Sequence, residues 1–150
     1  MKALLVLALA SMTAVAFASP KIGDMATYKA SASGMDFDMK LTLTSFNETA
    51  NTFTRETITS ILGQDQVESE DVSVEDLVSD EALDMVMGLC ETEMIKGKLE
   101  SVTTVAGTFD TCAITDEQGA ISNLGKVPFG LVKYTSAEVS LELSSFSAAE

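Results

Sequence analysis

The sequence predicts an α+β protein that is mostly β: a curved antiparallel sheet, an incomplete barrel, wrapped around one short amphipathic helix. Three observations carry that prediction. Met35, Phe37, Met39, Leu41 and Leu43 alternate with Asp36, Asp38, Lys40, Thr42 and Thr44, and alternation at period two describes a strand with one dry face and one wet face. At a single place the period changes: Ala82, Met85, Val86 and Leu89 fall at i, i+3, i+4 and i+7, which is one apolar stripe on a helix. The rest of the chain is a series of Val-, Thr- and Phe-rich runs broken by short turns. One short helix cannot cover the apolar face of so many strands laid flat, so the sheet is expected to curl around it.

The first residues are read separately. MKALLVLALASMTAVAFASP opens with Lys2, continues as an apolar stretch to about residue 16, and reaches the small-x-small pattern Ala16-Phe17-Ala18, which is how a cleavable export signal is built. Residues 1–18 are therefore expected to be a signal peptide and residues 19–150 a single β-rich domain. The apolar stretch is shorter than the roughly 20 residues that span a bilayer, and no later stretch replaces it, so no transmembrane anchor is expected after cleavage. Removing Lys2 shifts the formal charge from −14 to one unit more negative. Such a charge repels phosphate backbones and anionic headgroups, which argues against nucleic-acid binding.

Met25 to Ala32 reads as a strand ending at Ser33-Gly34, and the alternating run from Met35 pairs with a Thr-rich strand from Asn51 to Leu62 across a turn at 47–51. A turn at Gly63-Gln64-Asp65 leads to an acidic strand, Gln66 to Val74, expected near an edge. Ser79 is a suitable N-cap, with Asp80 and Glu81 in the first turn, where the helix dipole favours anions. Leu83 and Met87 widen the apolar stripe, and the last turn delivers Cys90. A hairpin is expected from Leu99 to Ile114, with its break at Ala106-Gly107-Thr108, and it carries Cys112. A turn at 115–119, a brief strand at 120–124, a strand from Val127 to Tyr134 entered through Pro128, and a closing strand with Val139, Leu141 and Leu143 complete the order.

Cys90 and Cys112 are the chain's two cysteines. In an exported chain an even pair reads as one disulfide tying the helix to the hairpin, worth about 3 kcal/mol for a loop of this length. Two buried free thiols are the other reading.

The run ESVTTVAGTFDTC at 100–112 and VPFGLVKY at 127–134, behind an export signal, resemble small exported bacterial β-rich domains of unknown function. The likeness covers 100–146 best. It implies an exported bacterial protein, periplasmic or extracellular, with a curved sheet similar to the half-barrels of lipoprotein carriers, which shield acyl chains in the concave face. The strongly acidic balance departs from those carriers.

The chemistry open to the chain is narrow. With no histidine, Ser-His-Asp and Cys-His sites are excluded, and no Gly-rich phosphate loop is present. No cofactor or metal site is expected, and no catalytic residue is assigned. The leading expectation is a non-catalytic exported protein, with an apolar small molecule or lipid against Phe37, Met39, Leu41, Leu43, Met85, Leu141 and Leu143. The competing one is an envelope structural or interaction protein using its acidic surface or an exposed sheet edge, with or without cation binding. Eleven Asp and Glu fall between Asp65 and Glu93 with no Lys or Arg among them, and the EF-hand order is absent from that stretch.

Overall fold

Nine strands and one α-helix follow one another through residues 20–150, the part of the chain that the computed structural model describes. The signal peptide expected at 1–18 lies outside the described residues. The elements are β1 (Met25–Ala32), β2 (Met35–Asn47), β3 (Thr52–Ile61), β4 (Gln64–Ser73), a 3-10 turn at Val74–Asp76, α1 (Asp80–Leu89), β5 (Lys98–Thr104), β6 (Gly107–Thr115), β7 (Ile121–Leu124), β8 (Leu131–Thr135) and β9 (Val139–Ser147). They form one sheet in the order β4-β3-β2-β1-β9-β8-β7-β6-β5, antiparallel at every pairing. Two meanders, β1–β4 and β5–β8, are joined by the last strand, which lies between β1 and β8.

The sheet is curved and unclosed, with β4 and β5 at its edges. Although β5 is an edge, it packs against β8 and β9, so the β5–β6 hairpin folds back over the middle of the sheet. The buried core there is Ala26, Tyr28, Val127, Val132 and Leu143, with Val102, Phe109, Phe129 and Leu131 packed against it. β3 and β4 differ. Residues 64–71 of β4 are all exposed, and β3 buries only Phe53, which meets Phe46 with ring centroids 4.7 Å apart.

Local chemistry explains the boundaries. Ser33-Gly34 and Leu62-Gly63 each place two successive residues at positive φ (54° and 75°, then 51° and 76°), the conformation that two-residue hairpin turns need to match strand twist. The second turn comes earlier than the turn expected at residues 63–65. Leu62 takes the first left-handed position, and β4 therefore begins at Gln64. The expected strand from Val127 to Tyr134 is also corrected. Only Leu131–Thr135 is strand, because Pro128 offers no N–H and Phe129 and Gly130 are both left-handed, at φ 65° and 74°. Gly125 N–H donates to Gly130 C=O at 2.9 Å, closing 125–130 into a turn.

The helix starts where Ser79 Oγ accepts from Ala82 N–H at 3.2 Å. Ala82, Leu83 and Val86 are its buried face. Cys90, just past its end, is bonded to Cys112 of β6, and Val86, Met87, Ile95, Ile114 and Leu124 surround the two sulfurs. The helix thus sits on the β6–β7 side, in a cluster of its own. Gly97 belongs to that cluster through the space it leaves. A Cβ there would lie 2.7 Å from Cys112 Sγ, 2.9 Å from Cys90 Sγ and 3.0 Å from Ala113 O.

Two stability predictions follow from these contacts. Leu62 is exposed at 89% and left-handed, so Leu62→Asn should raise the unfolding free energy by about 1 kcal/mol; a loss in urea unfolding would contradict the turn. Gly97→Ala should cost about 2 kcal/mol by overpacking, and less when combined with Cys112→Ala, which removes the nearest sulfur. Additive effects in that double-mutant cycle would contradict the packing.

Candidate functional site

The strand register gathers six of the seven residues expected to meet a ligand. Phe37, Met39 and Leu41 lie opposite Ala30, Tyr28 and Ala26, and Leu141 and Leu143 lie opposite Ala30 and Tyr28 from the other side. Leu43, two residues beyond Leu41, continues the same row of β2. One apolar face therefore runs across β2, β1 and β9. Met85 stands apart: half-buried on α1, it is in neither buried cluster.

That face is filled from within. Met39, Leu41 and Leu141 pack on the cluster around Tyr28, and Leu143 is fully buried within it. The opposite side of the hollow is supplied by Val102 and Phe109 of the β5–β6 hairpin and by Val127 and Phe129 of the 125–130 turn. Tyr28 is the centre, 1% exposed, and its hydroxyl donates to Leu131 C=O at 2.9 Å. A buried phenol with one partner is costly to ionise, so burial pushes its hydroxyl well above the ordinary phenol range.

The face reaches open space at one end. A cleft of about 240 Å³ is lined by Leu43, Leu77, Val78, Val127, Phe129 and Phe146, with Lys21, Asp24, Asp80 and Lys126 on its polar side. Its walls are tied together. Asp24 accepts from Lys21 N–H and from Ala149 N–H, each at 2.8 Å, which joins the two ends of the described chain. Lys126 Nζ lies 2.7 Å from Asp84 of α1. The hydrogen bond that Lys126 donates to Asp84, then that carboxylate's charge, holds the Lys126 ammonium above its usual range. Both partners are exposed, so the pair contributes little to stability. Phe146 meets Phe109 edge-on with centroids 5.8 Å apart, linking the cleft to the core. At the opposite end of β1, an open polar groove lies between Ser31-Gly34 and Ser136-Ser140.

Sequence reasoning placed Leu43 in the row but not Leu77, Val78, Phe129 or Phe146 beside it. The first pair lies in the β4–α1 connection and Phe129 in the 125–130 turn, where the sequence predicts a strand. The available signal was Phe129-Gly130 after Pro128, a turn sequence rather than a strand sequence.

The polar side chains between β5, β6 and β7 are engaged with one another. Asn123 Nδ2 donates to Glu100 Oε1 at 2.8 Å and to Thr111 Oγ1 at 3.1 Å, and the Thr111 hydroxyl donates to Glu100 C=O at 2.9 Å. This network pins β5, β6 and β7 together. Among the described residues, no three Asp, Glu or Cys side chains gather where they could hold a metal ion. The acidic residues of 65–93 are instead distributed over β4, the 3-10 turn, α1 and the loop after it.

No protein-family model matches the chain, and no curated protein matches it. Solved structures do. A Bacteroides fragilis protein, described as a candidate exported protein with a YmcC-like fold, aligns over 87% of this chain and 98% of its own at 10% identity and a TM-score of 0.50. A candidate lipoprotein from Parabacteroides distasonis aligns over 87% and 98% at 12% identity and a TM-score of 0.47. MucB aligns over 89% of this chain and 55% of its own at 11% identity and a TM-score of 0.44. The chain has the fold of the Bacteroides fragilis protein. Among the described residues no helix is long and apolar enough to cross a membrane.

The Tyr28 environment fixes a pH dependence. Below pH 10, the phenol is protonated in both folded and unfolded chains, and its full contribution to stability is present. Above that, the unfolded chain ionises while the folded one does not, so stability is lost as pH rises toward the folded value. Tyr28→Phe should cost about 1 kcal/mol at neutral pH, through the lost hydrogen bond. Above pH 10 its stability should fall less steeply than that of the wild type, by up to roughly 1.4 kcal/mol per pH unit. Parallel alkaline unfolding curves would contradict this assignment.

Proposed function

We propose that this is an exported, non-catalytic bacterial protein, released as a single domain of residues 19–150, which holds a small apolar or lipid-like group in the cleft beside Leu43. It acts in the periplasm or outside the cell. The observation that carries the reading is the place where the apolar face opens. Around Tyr28 the hollow is occupied by the chain's own hairpin, and at Leu43 the same row of β2 reaches a cleft walled by Val78, Phe129 and Phe146. An apolar group entering there would exchange water for hydrocarbon on several sides. The margin carries charge of both signs, Lys21 and Lys126 beside Asp24 and Asp80, with Lys126 bonded to Asp84, so a polar head of the group can stay at the rim.

Binding is favoured over catalysis by what the side chains offer. The chain has no histidine, both cysteines are in the disulfide, and the interior amide, hydroxyl and carboxylate of Asn123, Thr111 and Glu100 bond one another. Export is supported by the export-signal pattern of the sequence at 1–18 and by the description of the protein that shares the fold at a TM-score of 0.50.

The test uses the mature protein from the compartment that contains it. Its N-terminus should be Ser19. Dodecanoic acid should bind, measured by calorimetry, and Leu77→Trp, which fills the cleft from its half-buried rim, should weaken binding at least about tenfold (about 1.4 kcal/mol) with little change in melting temperature. No binding, or equal binding by the filled variant, would overturn the cleft as the site.

A further inference from the structure

A second surface, independent of the cleft, is the free edge of β4. Val74 N–H donates to Asn51 C=O at 3.2 Å, which makes Asn51 and Val74 a hydrogen-bonded pair. Such pairs alternate with non-bonded ones along an antiparallel ladder. The β3–β4 register runs from Thr52 opposite Ser73 to Ile61 opposite Gln64 without a shift. Counting along it, Val72, Glu70, Glu68, Gln66 and Gln64 exchange bonds with β3. Asp65, Val67, Ser69 and Asp71 turn their N–H and C=O groups outward, and among the described residues β4 has no strand beyond it.

Sheets commonly protect an edge with a short strand, a proline, a lysine, a bulge or a covering element. β4 is ten residues long and contains no proline and no lysine. Its register is unbroken, and residues 64–71 are exposed. The remaining device is acidic charge, from Asp65, Glu68, Glu70 and Asp71, of which Glu70 is bonded to Arg55. No Lys or Arg occurs from 56 to 95. Acidic charge opposes a second β4 laid alongside, since carboxylates would face carboxylates, and it attracts a basic strand. Val67 and Leu62, 58% and 89% exposed, offer apolar contact to the same guest.

We propose that β4 is a docking edge that takes an extended Lys- or Arg-rich segment of a partner protein as a tenth strand. The test titrates the ¹⁵N-labelled mature protein with a ten-residue peptide of alternating Lys and Thr. Amide shifts should concentrate at residues 64–73, and affinity should fall as salt rises. Ser69→Pro removes an outward N–H while leaving the bonds to β3 intact, and should weaken binding at least about tenfold (about 1.4 kcal/mol). A peptide N-methylated at every residue, which can pair through neither of its edges, makes the same test on the unaltered protein, and should lose binding likewise. Equal binding of the methylated peptide would show surface charge attraction without strand pairing and overturn the proposal, as would no binding at all. Concentration-dependent dimerisation lost in Ser69→Pro would identify a second copy as the guest and also overturn it.

Discussion

Among the described residues, a sheet of nine strands with one apolar face is accompanied by a single ten-residue helix, too little helix to keep that face dry. The solution lies in the bending of the sheet. β5 returns to touch β8 and β9, so that Val102 and Phe109 close over Tyr28, Val132 and Leu143. Tyr28 sits between Ala26 and Ala30 on β1, two small residues on the same face that leave room for the ring. Its hydroxyl, turned to Leu131 C=O, satisfies a polar atom that burial would otherwise penalise. The carbonyl belongs to the first residue of β8, where the register between β7 and β8 shifts. The bond therefore ties the middle of β1 to the strand that follows the 125–130 turn.

The same face changes character along the sheet. In register, Leu41 is followed by Thr57 and Glu68, and Met39 by Thr59 and Gln66. The dry row on β2 becomes hydroxyl on β3 and carboxylate or amide on β4. Half of the molecule is thus a packed half-barrel and the other half a solvated ribbon. The helix serves the packed half. Its connection to β4 lays Leu77 and Val78 across the end of the hollow, and its C-terminus is fixed to β6 through Cys90 and Cys112. The Leu43 cleft lies where these pieces meet.

Much of this was legible in the residues because it depends on local chemistry. β1 ends where the Ser33-Gly34 turn places it, and α1 begins and ends where Ser79 and the apolar stripe place it. The acidic strand does lie at an edge. What was not legible depends on how distant segments meet. Val127 to Tyr134 is rich in strand-forming residues, and Pro128 and Gly130 within it suit a strand entry as well as a turn; the left-handed Phe129 and Gly130 decide for the turn. Nothing in the spacing says that Val102 and Phe109, rather than Met85, would face Met39 and Leu41. That follows from the curl of the sheet, set by pairings over a hundred residues apart such as Tyr28 with Leu143.

Native-state hydrogen exchange tests the central claim, that the curled sheet is closed by its own hairpin around Tyr28, most directly. Amides of β1, β8 and β9 should exchange slowest, in one cooperative unit that includes β5 and β6, while β4 exchanges through a separate, lower-energy opening. Independent, rapid exchange of the β5–β6 hairpin, with β4 as protected as β1, would contradict the account.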